Sequence, residues 1–171
     1  MFKEFMSAES HNGNRDISSF HPYSWPVHLY WQSVRVTFLQ MFPMKGITIL
    51  NFDHSHSFMD ICYVFSGSGR LLFEDGSFVP LRRGTLCYIN TAVVHRVVSD
   101  EDYPLELYNA SFEFSPYHSA DKMPSYIAES EAKIMNCLKE HRYMSADDCY
   151  HCEDFLRNAL SLLNSPKPGE F

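Results

Sequence analysis

The run His54-Ser55-His56-Ser57-Phe58-Met59-Asp60-Ile61-Cys62-Tyr63-Val64-Phe65-Ser66-Gly67-Ser68-Gly69 decides how this chain is read. Its second half is rich in strand-favouring residues and stops at Ser66-Gly67-Ser68-Gly69, as a β-strand ending in a reversal does. If the strand reaches back to His54, then His54, His56 and Asp60 share parity and face one side, where a paired strand could bring His95 beside them. Three imidazoles and a carboxylate converging on one interior suit a divalent transition metal: Zn, Fe, Ni or Mn.

Outward from this stretch, short apolar runs are cut by turn residues from about 33 to 114, the pattern of an antiparallel sandwich or barrel. Strands are expected near Ser33 to Phe38, Gly46 to Phe52, Met59 to Phe65, Gly69 to Glu74, Ser77 to Leu81, Leu86 to Ile89, Val94 to Val98 and Leu105 to Phe112, enough to close a small barrel. Glu74-Asp75-Gly76-Ser77 supplies a hairpin turn, and Pro80 belongs on an edge, where its missing amide hydrogen does no harm.

After residue 123 the period lengthens toward 3.6, with Ile127, Ile134 and Leu138 on one helix face. A second helix is expected with Ser145 as its N-cap and Asp147 and Asp148 in its first turn. Its apolar stripe is Cys149, Cys152, Phe155, Leu156, Ala159, Leu160 and Leu163. The Cys149-Tyr150-His151-Cys152 spacing is assigned to packing on that stripe. The resulting division is an arm over 1–32, a β-barrel over 33–122, a helical segment over 123–165 and the start of a linker over 166–171.

The composition limits the function. A chain of 171 residues, 45% hydrophobic, folds around one core. With 14 Lys and Arg against 21 Asp and Glu, the net charge of -7 argues against direct nucleic-acid contact by this segment. Five Cys without framework spacing fit a reducing, cytoplasmic location, and neither a signal peptide nor a membrane span is expected.

The set His54-Ser55-His56, Asp60 and Gly67, followed by Gly84 and His95, resembles the two motifs of the cupin superfamily. Asp60 stands where the usual carboxylate is Glu, Gly46 lies further upstream than the pattern expects, Asn90 and Ala92 replace the Pro and Gly of the second motif, and Ser99 replaces its asparagine. The resemblance implies a double-stranded β-helix, a jelly-roll barrel, and His54, His56, Asp60 and His95 as ligands where a metal is bound. The same stretch with Leu71, Phe73, Glu74-Asp75-Gly76, Leu81-Arg82-Arg83-Gly84 and Val93-Val94-His95-Arg96-Val97 resembles the N-terminal sensing domain of bacterial AraC-type transcription regulators.

That second resemblance implies an effector-binding and dimerisation module without chemistry of its own or a cofactor, which contacts DNA through a further domain. The effector, a sugar or an aromatic acid, would bias two conformational states. Its candidate contacts are His54, His56, Asp60, Tyr63, Tyr88, His95 and Trp31, with Phe112 nearby, although core packing accounts for each aromatic equally. Homodimerisation is assigned to Ile134, Leu138, Phe155, Leu156, Leu160 and Leu163. Pairing of His95 with Asp60 would raise the histidine's pKa. The alternatives are a metal-dependent cupin enzyme, an oxygenase or isomerase, and a carbohydrate-binding module.

Overall fold

A computed structural model describes residues 27–31, 33–46, 52–117 and 125–164, with the side chains of Ser125 and of residues 159–164 not described. In chain order the elements are β1 (Val27–Trp31), β2 (Val34–Lys45), β3 (Met59–Ser66), β4 (Ser68–Phe73), β5 (Phe78–Arg82), β6 (Thr85–Ile89), β7 (His95–Ser99), β8 (Glu106–Pro116), α1 (Ser125–Glu140), β9 (Tyr143–Asp147) and α2 (Cys152–Asn164). They form a mainly β topology of two sheets, β1-β2-β8-β3-β6-β9 with six strands and β5-β4-β7 with three, with two helices.

Side-chain alternation gives the large sheet two apolar faces. Its inner face, carrying Met44, Cys62, Val64, Cys87, Ile89 and Leu107, meets Leu71, Phe73, Val79, Leu81 and Val97 of the small sheet in the main core. Its outer face carries Met59, Tyr63, Phe65, Tyr88, Tyr108 and Phe112, and Leu138 of α1 with Cys152 and Leu156 of α2 packs over them. The inner face positions the histidine site, while the outer face holds the helices.

The turns follow local chemistry. At the β4–β5 hairpin Gly76 has φ 82° and Asp75 accepts the Ser77 amide at 2.9 Å. Pro80 lies on β5, an edge strand of the small sheet. Glu131 of α1 is buried and accepts the Ser33 amide at 2.9 Å together with the Ser33 hydroxyl, fastening the start of β2 to the helix.

Several expectations are corrected. The described strands are hydrogen-bonded as two separate sheets rather than as the closed barrel expected. The first barrel strand is longer than its apolar run, because β2 continues through a bulge at Phe38/Gln40 and pairs along the whole of β8. The end of the arm is regular: β1 pairs with β2, so Trp31 sits opposite Val34. Of the strand expected over Gly46 to Phe52, Gly46 and Phe52 are bends and residues 47–51 lie outside the described residues, as do 1–26, Trp25 among them, and 165–171.

Ser145 does not cap a helix, because Tyr143–Asp147 pairs with β6 and satisfies backbone groups that β6 would otherwise leave open at the sheet edge. The helix begins at Cys152 and Asp148 serves its start, accepting the Tyr150 amide at 3.0 Å and the Tyr63 hydroxyl at 2.8 Å. Among the residues assigned to dimerisation, Leu138 and Leu156 are used against the sheet, Ile134 and Phe155 are exposed, and Leu160 and Leu163 have no described side chains.

Candidate metal centre

The strand bearing Asp60 begins at Met59, so His54 and His56 precede it rather than share it. They are brought to His95 by the backbone. The His54 amide donates to the His95 carbonyl at 3.0 Å, the His95 amide donates to the His54 carbonyl at 2.9 Å, and the Ala92 amide donates to the His56 carbonyl at 2.8 Å. Ala92 takes φ 58°, a left-handed turn at the position where the second cupin motif has glycine.

Each imidazole is then oriented by its own neighbourhood. Nδ1 of His54 donates to the Phe52 carbonyl at 3.0 Å, Nδ1 of His56 to the Phe58 carbonyl at 2.7 Å, and Nδ1 of His95 to the Val93 carbonyl at 2.9 Å. A carbonyl only accepts, so all three rings carry the proton on Nδ1 and turn Nε2 inward as the free ligand atom. One ring nitrogen from each lies within 4.8 Å of the other two, an arrangement that could hold a divalent metal ion.

Asp60 stands beside this triad. Its Oδ2 is 2.9 Å from His56 Nε2, and both side chains are almost wholly buried. Among the described residues, His56 Nε2 and Asp60 Oδ1 are both buried without a hydrogen-bond partner, so the close approach of Nε2 to Oδ2 is an ionic contact. An imidazole lone pair set against a carboxylate oxygen is repulsive, so a proton or a metal cation belongs at this contact. The orphaned Nε2 therefore fits a metal.

The electrostatics separate the three rings. Desolvation pushes His95 down to about 4, against the Val93 carbonyl, and pushes His54 below its ordinary value against the Phe52 carbonyl. For His56 desolvation acts the same way, but the Asp60 carboxylate and the Phe58 carbonyl outweigh it and hold the ring above its ordinary value. The expectation that His95 pairs with Asp60 is thus corrected: His56 is the partner, and His95 is the ring kept neutral.

The aromatic candidates are elsewhere. Tyr63 and Tyr88 lie on the outer face of the large sheet, where the Tyr63 hydroxyl donates to Asp148 and the Tyr88 hydroxyl donates to the Leu138 carbonyl at 2.9 Å. Adjacent strand residues point to opposite faces, which puts both behind the sheet that carries Asp60 and Cys62. Phe112 packs with Tyr88, and Trp31 is partly exposed on β1. The rings that do flank the histidines are Phe58, stacked on His56 at 4.3 Å, and Phe52, 5.4 Å from His54 and half exposed. Their position next to His54-Ser55-His56 was the available signal in the sequence.

Below the triad the interior is filled. A cavity of only about 10 Å³, lined by Asp60, Cys62, His95 and Asn109 among aliphatic side chains, leaves no room there for a sugar or an aromatic acid. The expectation that the chain has no chemistry of its own is overturned by the three converging imidazoles, a set that could hold a metal ion and so permits catalysis.

Residues 38–111 match the family model described as a cupin domain. No curated protein matches the chain. Among solved structures, the chain is similar to protein NMB1881 from Neisseria meningitidis, with 17% identity over 61% of this chain and 100% of that one at a TM-score of 0.36. It is similar to a single-residue variant of oxalate decarboxylase from Bacillus subtilis, with 16% identity over 53% of this chain and 28% of that one at 0.37. It is also similar to ToxT from Vibrio cholerae, with 10% identity over 82% of this chain and 50% of that one at 0.42. These distant likenesses do not bear on what the chain does. A match to a cupin domain over these residues is compatible with a small ligand-binding regulatory module or with a metal-dependent enzyme. No helix among the described residues is long and apolar enough to cross a membrane.

Proposed function

We propose that this chain is a metal-dependent cupin enzyme in which Nε2 of His54, His56 and His95 holds a divalent transition ion, with Asp60 at its side. The observation that carries this reading is the shared orientation of the three rings, each fixed by a carbonyl two residues away. When bound, the ion would supply Lewis acidity or redox chemistry to a small organic substrate, as an isomerase or oxygenase requires. The chain itself holds the rings in one tautomer and keeps His95 neutral. The filled interior leaves no room for a substrate below the histidines, and Phe52 and Phe58 offer apolar surface beside them, the side from which a substrate would enter.

Elemental analysis after purification without added metal, and titration with Co²⁺, test this directly. About one ion per chain is expected, lost in His54→Ala and His95→Ala variants that keep the parent's unfolding midpoint. A chain that is metal-free and leaves Co²⁺ uncomplexed overturns the proposal.

A second reading is an effector-sensing module of an AraC-type regulator, pairing two copies through its helices while another domain contacts DNA. Exposure of Ile134 and Phe155 on the helices supports it. A concentration-dependent dimer weakened by Phe155→Asp, with calorimetric binding of a small metabolite by metal-free protein, would favour this reading over the first.

A further inference from the structure

Behind the histidines, a carboxylate and a carboxamide share a lining with the Cys62 thiol and mostly apolar side chains. Asp60 is 4% exposed and its Oδ1 has no hydrogen-bond partner among the described residues, while Asn109 is 7% exposed. The two are diagonal neighbours on paired strands: Asp60 lies opposite Ser111 and Asn109 opposite Cys62, so both project from the inner face of the large sheet. Both line the cavity of about 10 Å³ below the triad, together with His95, Met44, Leu71 and Leu107. A buried polar atom without a partner is costly, and a cavity of about 10 to 15 Å³ with two or more polar groups in its wall is the size and chemistry for one water molecule.

We propose that this cavity is a one-water site in which the water donates to Asp60 Oδ1 and is held by the Asn109 carboxamide, so that Asn109 is a positioning residue that keeps Asp60 Oδ2 turned toward His56 Nε2. The geometry leaves Asp60 few other restraints. Its contact to His56 uses Oδ2 alone, and on the cavity side it is flanked by the weakly polar Cys62 thiol and by His95, whose Nδ1 is committed to the Val93 carbonyl, with Ser111 opposite it on the paired strand. A carboxylate with one oxygen satisfied by the Asn109-bound water has its other oxygen aimed by default. Replacing the amide with an apolar side chain removes the second polar wall, empties the site of water and frees Asp60 to rotate. This inference rests on the proposed metal function only for its consequence, since the water and the aim of Asp60 concern the metal-free chain.

Crystal structures of the metal-free parent and of Asn109→Leu at a resolution that places waters provide the first test. Expected are one water within hydrogen-bond distance of Asp60 Oδ1 and Asn109 in the parent, and its loss with Asp60 turned from His56 in the variant. A cavity without water, or an unmoved Asp60 in Asn109→Leu, overturns the proposal. Co²⁺ affinity is the second readout, expected to fall about 10- to 100-fold in Asn109→Leu and to recover in Asn109→Gln, which keeps the amide. In an Asp60→Asn background Asn109→Leu should cause no further loss; an equal loss there would show that Asn109 acts through packing alone and overturns the positioning role. A parent that binds no Co²⁺ defeats the enzyme reading, while the crystallographic comparison still decides this one.

Discussion

Ala92 holds φ 58° so that its amide can reach the His56 carbonyl, a left-handed conformation costing an L side chain roughly 1 kcal/mol. Ala92→Gly relieves that strain and returns part of it as chain entropy, so thermal unfolding should show a gain of about 0.5 kcal/mol. A lower midpoint would mean that the Cβ is needed. Gly67 is the opposite case. At φ 81° an added Cβ would stand 2.1 Å from the Pro104 carbonyl oxygen, so Gly67→Ala should cost roughly 3 kcal/mol or more in urea unfolding. The histidine spacing was legible because side-chain identity alone names three candidate ligands. Their shared tautomer was not, since it depends on carbonyls of Phe52, Phe58 and Val93 whose direction only the folded backbone supplies.

At the level of elements, α2 is fastened to the sheet by Asp148 at its start, by Glu153 to Arg83 and by Arg157 over the Phe65 ring. Desolvation opposes ionisation of Asp148, but donors from Cys152, Tyr63 and Tyr150 hold it down at about 2, below its ordinary 3.8. A lowered pKa in the folded chain adds stability that is complete above the ordinary value and disappears as pH falls through about 2. The stability difference between parent and Asp148→Asn should therefore be largest at neutral pH and shrink through this window. A difference that is flat with pH would show that Asp148 acts without its charge. Tyr63→Phe removes the other end of the same contact and should cost about 1 kcal/mol in chemical denaturation, with α2 exchanging its amide hydrogens faster. Apolar runs from β3 to β8 announced their strands, because both sheet faces needing burial leave a dense signal. Strand β9 was hidden: Tyr143–Asp147 is short and half polar, and it forms because β6 offers a free edge.

Across the whole molecule, burial sorts the five free thiols. Cys62 and Cys87 face each other across β3 and β6 inside the main core, and burial pushes Cys62 well above its ordinary value and Cys87 up to about 12. Cys137 and Cys149 are exposed. Mass spectrometry after a short maleimide exposure should find Cys137 and Cys149 labelled, with Cys62 and Cys87 protected until denaturant is added; early labelling of the inner pair would mean the sheets open readily. The mainly β architecture with trailing helices was readable from periodicity. The filling of the space between the two sheets was not: it depends on which side of each strand faces inward, and the bulge in β2 resets that count within a single strand.

The carbonyl restraints on the three imidazoles have one more consequence. Because every ring is held by backbone from its own segment, the lone pairs converge before any cation arrives, and nothing in their orientation waits for a particular element. A receptacle prepared in this way discriminates weakly among first-row ions, which then rank by intrinsic nitrogen affinity. For the metal reading proposed above, the element held would follow local supply, so two preparations of the same sequence grown in different media would carry different elements and different reactivity.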